Sequence, residues 1–296
     1  MQQITHCPLC NSIQFSTFLV CKDHLLSNKE FTITECENCH FRFTNPRPLD
    51  DQLQNFYKSQ NYISHSNIRK GFTNRLYHLV RNYTIRKKFS IVKKYASNTT
   101  LLDIGCGTGE LLNYFKTKGW QAYGLEPDKN ARDFAINNYN LNVIDFPGLS
   151  QLQPAFFNVI TMWHVLEHIS NLNDFISRIS NLLKENGTLI VAVPNSESWD
   201  ASHYKSFWAA YDVPRHLYHF TTETIVKLMK NHHFFLEKII PMKFDSYYIS
   251  LLSEKYKTGQ TNYLSGFFHG ILSNFSARIN NNNYSSLIYV FNFANN

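Results

Sequence analysis

Leu101-Leu102-Asp103-Ile104-Gly105-Cys106-Gly107-Thr108-Gly109-Glu110 reads as a β-strand, a glycine turn and the first residue of a helix. The helix continues through Leu111-Leu112-Asn113-Tyr114-Phe115. The glycines allow a sharp turn and the close approach of a ligand. The helix start offers unpaired N–H groups to a polar or anionic group. A dinucleotide-binding GxGxxG loop needs glycine at position 110, where this chain has glutamate. A carboxylate there would repel a pyrophosphate. A second strand, Ala122-Tyr123-Gly124-Leu125, ends at Glu126, which is placed to accept from both hydroxyls of a ribose.

Working outward, strands and helices alternate. A helix stops at Lys118-Gly119, and another runs from about 129 to 138. Asn142-Val143-Ile144-Asp145 and Phe157-Asn158-Val159-Ile160-Thr161-Met162-Trp163 read as strands. A helix over 172–184 places Phe175, Ile176, Ile179, Leu182 and Leu183 on one stripe and ends before Gly187. Gly187 to Asn195 is a further strand. A helix from Thr222-Glu223 leads to a strand over Phe235 to Ile240, and Ser285 to Phe291 is the last strand. The expected fold is α/β: a Rossmann-like, doubly wound, mostly parallel sheet of about seven strands.

LLDIGCGTGE followed by GLEPD resembles motifs I and II of class I S-adenosylmethionine-dependent methyltransferases. The strand 157–163, the turn His164-Val165-Leu166-Glu167-His168 and the strand 187–195 agree in order and spacing, so the resemblance covers roughly 98–243. Asn158 stands where the family has aspartate. The resemblance implies S-adenosylmethionine as cofactor. Gly105, Gly107 and Gly109 would shape its pocket, with Cys106 and Pro127 in the same two loops. Asp103 would place the methionine amino group and Glu126 the ribose. Phe146 would lie near the adenine and Asp145 near its amine, although Asp103 and Asp145 can equally be turn supports. Met162, Trp163 and His164 would lie beside the sulfonium.

Cys7-Pro-Leu-Cys10 and Cys36-Glu-Asn-Cys39 are two CxxC pairs separated by 25 residues. Each pair can give two thiolates to one tetrahedral ion, which in an intracellular chain argues for structural zinc over disulfides. Around the pairs, 13–20, 31–34 and 41–44 read as strands, so 1–48 is expected to be a zinc ribbon. Residues 49–97 read as a basic helical linker or cap. Leu76, Leu79, Val80, Tyr83, Phe89, Val92 and Tyr95 are spaced as its apolar face. Residues 98–296 form the methyltransferase domain, with 244–283 a helical lid insertion.

The chain of 296 residues is 43% hydrophobic and 15% aromatic, enough for a large core and ring-lined pockets. Its net charge of +7 is concentrated in one segment. No acid lies between Asp51 and Asp103. That interval holds Lys58, Arg69, Lys70, Arg75, Arg81, Arg86, Lys87, Lys88, Lys93 and Lys94, leaving 19 basic against 22 acidic residues elsewhere. Such a segment is either a phosphate-attracting surface or a solvated helix face. No apolar run approaches the roughly 18 residues of a membrane helix, and the N-terminus shows no signal pattern. A cytoplasmic protein with no membrane partner is expected.

His164, Glu167 and His168 share one face of a helical turn, and His216 lies in a second histidine-rich stretch, Asp212 to His219. Both fall at the carboxyl end of the sheet, where such folds build sites. The turn is similar to one in zinc-ribbon sugar C-methyltransferases. It is also similar to the ExxEH turn of ubiquinone-pathway and small-RNA O-methyltransferases, where acid and histidine groups bind a divalent ion. His168 is the expected base, Glu167 its partner, and His164 and His216 are partner groups or ligands of a divalent ion. The expected reaction is O- or C-methylation of a small, anionic acceptor such as a nucleotide-linked sugar. An RNA methyltransferase and a non-catalytic cofactor-binding scaffold are the alternatives.

Overall fold

The computed structural model describes residues 1–57, 72–96, 99–280 and 282–294; within 72–79 it describes the backbone alone. Sequence expectations that rest on Lys58, Arg69, Lys70, or the side chains of Arg75, Leu76 and Leu79 lie outside the described residues.

Seven strands form the main sheet: β4 (Thr100–Ile104), β5 (Gln121–Leu125), β6 (Asn142–Ile144), β7 (Phe157–Trp163), β8 (Leu183–Pro194), β10 (Phe234–Pro241) and β11 (Ser286–Phe293), in the order β10-β11-β8-β7-β4-β5-β6. From β8 to β6 the neighbours are parallel, while β11 is antiparallel to both β8 and β10. Parallel strands are covered on both faces, so β4 and β7 carry consecutive apolar residues instead of an alternation. Leu101, Leu102, Ile104, Val159, Ile160 and Met162 are all fully buried.

The helices are α1 (Asp50–Leu53), α2 (Phe72–Tyr95), α3 (Glu110–Thr117), α4 (Lys129–Tyr139), α5 (Leu172–Leu182), α6 (Trp199–Tyr204), α7 (Thr222–Lys230), α8 (Asp245–Thr258) and α9 (Tyr263–Ile279). Their ends have chemical causes. The Asp128 carboxylate accepts from Ala131 N at 2.8 Å and starts α4. Thr221 and Thr224 form a capping box for α7. The helix expected to reach Lys184 ends at Leu182. Leu183 instead pairs with Phe157 in β8, and Asn186 at φ 59° bends that strand just before Gly187.

The cysteine-rich N-terminal segment forms β1 (Phe15–Lys22), β2 (Glu30–Cys36) and β3 (Arg42–Thr44), an antiparallel sheet extended by β9 (Tyr218–His219). Thus a strand from beyond β8 completes the N-terminal sheet. Phe41 and Phe43 are fully buried in the same apolar cluster as Ile160, Leu189 and Phe291. Residues 1–48 therefore share their core with the main sheet.

Helix α2 departs from a simple apolar-in, basic-out pattern. Val80 and Tyr83, expected on the inner face, are exposed. Lys88 instead reaches the Trp163 ring (4.4 Å to its centroid), and Arg81 pairs with Glu110 at 3.1 Å. The carboxylates at the end of β4 and the start of α3 attract these cations.

Candidate active site

The turn after β4 takes left-handed conformations at Gly105, Gly107 and Gly109, φ 72°, 55° and 82°. A Cβ at Gly105 would lie 2.5 Å from Val165 Cγ2, and one at Gly109 would lie 2.7 Å from Leu141. Those two glycines are required by packing as well as by conformation. A Cβ at Gly107 would meet open space, so that backbone is bare for a ligand.

Glu126, nearly buried, accepts from Gly107 N at 2.8 Å and from Asp128 N at 2.9 Å. Two amides therefore hold the carboxylate against the glycine loop, each oxygen keeping a free lone pair. Burial raises its pKa against those two bonds. Asp103, also buried, accepts from Thr161 Oγ1 at 2.6 Å. Burial raises its pKa to about 6, partly offset by Thr161 and Lys88.

A cavity of about 340 Å³ opens between Asp103, the start of the glycine turn and α2. Asp103, Gly105, Cys106 and Trp163 line it, as expected from the sequence; Lys88 and Arg81 line it too and were not anticipated. The clue was the acid-free run that contains both. Trp163 Nε1 is buried there without a hydrogen-bond partner. Burial raises the Cys106 thiol, keeping it protonated and a filler residue. The other expected cofactor residues are not cavity-lining. Met162 is fully buried in the sheet, and Pro127 is exposed. Asp145 accepts from Gly148 N at 3.1 Å, a turn support. Phe146 packs beside Phe175, 5.9 Å between centroids.

The sequence-predicted histidine and acid residues come together at the carboxyl ends of β7 and β8. Glu167 is completely buried, and neither carboxylate oxygen makes a hydrogen bond of ordinary geometry. His164 Nδ1 is 3.4 Å and His216 Nε2 4.0 Å from its Oε1. The His168 and His216 rings meet edge to face at 4.6 Å. His168 Nδ1 donates to Arg215 O at 3.0 Å, with Tyr57 Oη also 3.0 Å away. His216 Nδ1 donates to Ala210 O at 2.8 Å. A carbonyl can only accept, so Nδ1 carries a hydrogen in both rings, and each neutral ring keeps its lone pair on Nε2.

His164 is different. Its Nε2 is 3.1 Å from Asp245 and its Nδ1 faces Glu167, so both nitrogens meet carboxylates. Burial works against its charge, but Asp245 and Glu167 raise its pKa to about 10. As an imidazolium, His164 has no lone pair to serve as base or ligand. Burial drives His216 the other way, well below the ordinary histidine range, aided by His168. Asp245 was missed in the sequence because it lies 81 residues from its partner.

Donor atoms of Glu167, His168 and His216 lie within 4.8 Å of one another, a two-histidine, one-carboxylate set suited to a divalent ion. The adjacent His164 imidazolium opposes a dication there. Cys7, Cys10, Cys36 and Cys39 likewise bring four thiol sulfurs within 4.8 Å, with the closest pairs at 3.5 Å and none in a disulfide. Four such sulfurs fit a tetrahedral ion with Zn–S of about 2.3 Å.

Residues 77–238 match the family described as "Methyltransferase domain". Among curated relatives, the chain is 29% identical over 106 residues to a ubiquinone biosynthesis O-methyltransferase of Rhodopseudomonas palustris (strain HaA2), covering 33% of this chain and 41% of that protein. It is 30% identical over 122 residues to the Pelagibacter ubique (strain HTCC1062) protein of the same name, covering 40% and 49%. The matches thus span less than half of these relatives' length. Three solved structures share the fold. An Archaeoglobus fulgidus SAM-dependent methyltransferase has TM-score 0.50 and 16% identity, covering 72% of this chain and 94% of that one. The Synechocystis magnesium protoporphyrin IX methyltransferase with bound SAH has TM-score 0.50 and 14% identity, covering 82% and 94%. The Haemonchus contortus phosphoethanolamine N-methyltransferase 2 has TM-score 0.51 and 17% identity, covering 95% and 69%.

Proposed function

The chain belongs to the methyltransferase-domain family, and from that premise we propose that it moves the methyl group of S-adenosylmethionine to a hydroxyl of a small acceptor. The observation that carries this is the pairing of two Nε2 lone pairs, on His168 and His216, with the buried Glu167. The turn bearing Glu167 and His168 abuts the glycine loop through Val165. The names of the curated relatives support a hydroxyl acceptor.

The cofactor supplies an already activated methyl on a sulfonium. The protein must therefore hold the two partners in line and take one proton. Glu126 would hold the ribose hydroxyls, with the bare Gly107 backbone beside it, and Asp103 would place the amino group. Lys88 offers positive charge to the carboxylate. His168 Nε2 takes the acceptor proton, and its Nδ1–H keeps the ring in place on Arg215 O. Glu167 stabilises the imidazolium formed, and His216 stays neutral beside it. His164 is a fixed cation that holds Glu167 ionised: burial alone would raise that carboxyl, but His164 lowers its pKa. Glu167, His168 and His216 could hold a divalent ion, which would lower the pKa of a hydroxyl; the charge on His164 favours the base. We assign one structural zinc to Cys7, Cys10, Cys36 and Cys39.

The test is transfer of labelled methyl from S-adenosylmethionine to catechols, nucleotide-linked sugars and total RNA. Label should enter a small hydroxyl compound, and His168→Ala should lower turnover by about 10²–10⁴ with chelator-insensitive activity. Label found in RNA would overturn the acceptor assignment. Activity lost to chelator and restored by added ion, with the cysteine-bound zinc intact, would replace the base by a metal.

A further inference from the structure

Helix α9 is inside out. Gly266, Gly270, Ser273 and Ala277 form its buried stripe. A Cβ at Gly266 would come within 2.7 Å of Leu251 Cα, and one at Gly270 within 2.6 Å of Tyr247 Cδ1, so α9 lies backbone-close on α8. The large apolar side chains face away from the protein. Leu264 is 86% exposed, Phe267 59%, Phe275 62% and Ile279 65%, with Tyr263, Phe268 and Ile271 beside them. At 100° per residue these seven cover an arc of about 160° along roughly 24 Å of helix. Single exposed apolar residues are ordinary; a contiguous aromatic ridge marks a binding surface.

The exposed charges of the α8–α9 hairpin identify what the ridge meets. From 243 to 283 the basic residues are Lys243, Lys255, Lys257 and Arg278, all exposed. The two acids are withdrawn: Asp245 pairs with His164, and Glu254 is buried. Every exposed charge on the hairpin is therefore positive. A twofold contact between copies through this face would bring like charges together with no acid on the hairpin to answer them. An anionic lipid surface neutralises them while the rings enter its interface.

We propose that the outer face of α9 seats the protein on an anionic lipid bilayer surface, with Leu264, Phe267, Phe268, Ile271 and Phe275 inserted at the headgroup boundary. Among the described residues no helix is long and apolar enough to cross a membrane. A helix lying in the surface needs only a stripe, which is why a search of the sequence for long apolar runs passes over it. The proposal does not depend on the acceptor assigned above.

Co-sedimentation of the full chain with phosphatidylcholine vesicles, with and without about a quarter phosphatidylglycerol, tests it. Wild type should bind the anionic vesicles and bind pure phosphatidylcholine more weakly. Phe267→Ser with Phe275→Ser should lower the bound-to-free ratio roughly tenfold or more, because both rings are solvent-exposed in the free protein. Lys255→Glu with Lys257→Glu should lower it and reduce its salt dependence. Unchanged thermal midpoints in both variants show that the fold is intact. Failure of wild type to bind anionic vesicles would overturn the proposal. So would a solution dimer that the phenylalanine variant dissociates while vesicle binding is unchanged.

Discussion

His164 shows how one residue changes the chemistry of a turn. Its place in the HVLEH stretch suggested a base or a ligand, but Asp245 and Glu167 make it a cation. Its folded pKa, about 10, exceeds the roughly 6.5 of an unfolded histidine. The pair's contribution to stability is therefore full below about pH 6.5 and is lost as pH rises toward 10. Asp245→Asn should lower the thermal midpoint near neutrality, and the gap from wild type should close by pH 10. A gap that does not change with pH would remove the charge pair. The glycines also separate by environment. Gly105→Ala meets both a left-handed backbone and the Val165 side chain, and should cost about 2–4 kcal/mol. Gly107→Ala meets strain alone, about 1–2 kcal/mol, but should weaken cofactor binding more than its stability loss suggests. Chemical denaturation combined with binding calorimetry separates the two effects.

At the scale of elements, the N-terminal sheet supports the loop that carries His216. Thr44 Oγ1 donates to His216 O at 2.8 Å, and Thr44 N to Leu217 O at 2.9 Å. Asp23 accepts from the buried Arg215 at 2.9 Å, and the Arg215 carbonyl receives His168 Nδ1–H. The cysteine cluster sits at the end of this sheet, so loss of the zinc proposed there should loosen the acceptor side as well as residues 1–48. Stripping zinc should lower turnover and raise amide exchange in both 30–44 and 209–219. Faster exchange confined to 1–48, with turnover unchanged, would contradict the link. Asp23→Asn leaves the buried Arg215 short of one anion and should destabilise the chain by about 2–4 kcal/mol in denaturant unfolding.

Over the whole molecule, legibility followed locality. The β4 turn, the Glu126 strand end, the CxxC pairs and the HVLEH turn were readable because their chemistry is set by neighbours in sequence. Asp245 to His164, Arg215 to Asp23 and the β3–β9 pairing join residues 81 to 192 positions apart, which no spacing rule reaches. Lys88 was legible as charge but not as a wall of the cavity. The outward rings of α9 were legible as a helix but not as its exposed face, because periodicity shows a stripe without saying which side is covered. Lys88, Asp103, Gly105 and Trp163 enclose the space beside the glycine loop, whose identity as a cofactor site is the central claim. Titration calorimetry with S-adenosylhomocysteine tests it most directly. Wild type should bind with micromolar affinity, about −7 to −8 kcal/mol. Glu126→Ala should lose roughly tenfold or more, since it withdraws the ribose acceptor and frees Gly107 N. Absence of binding by wild type, or equal affinity in the two proteins, would contradict it.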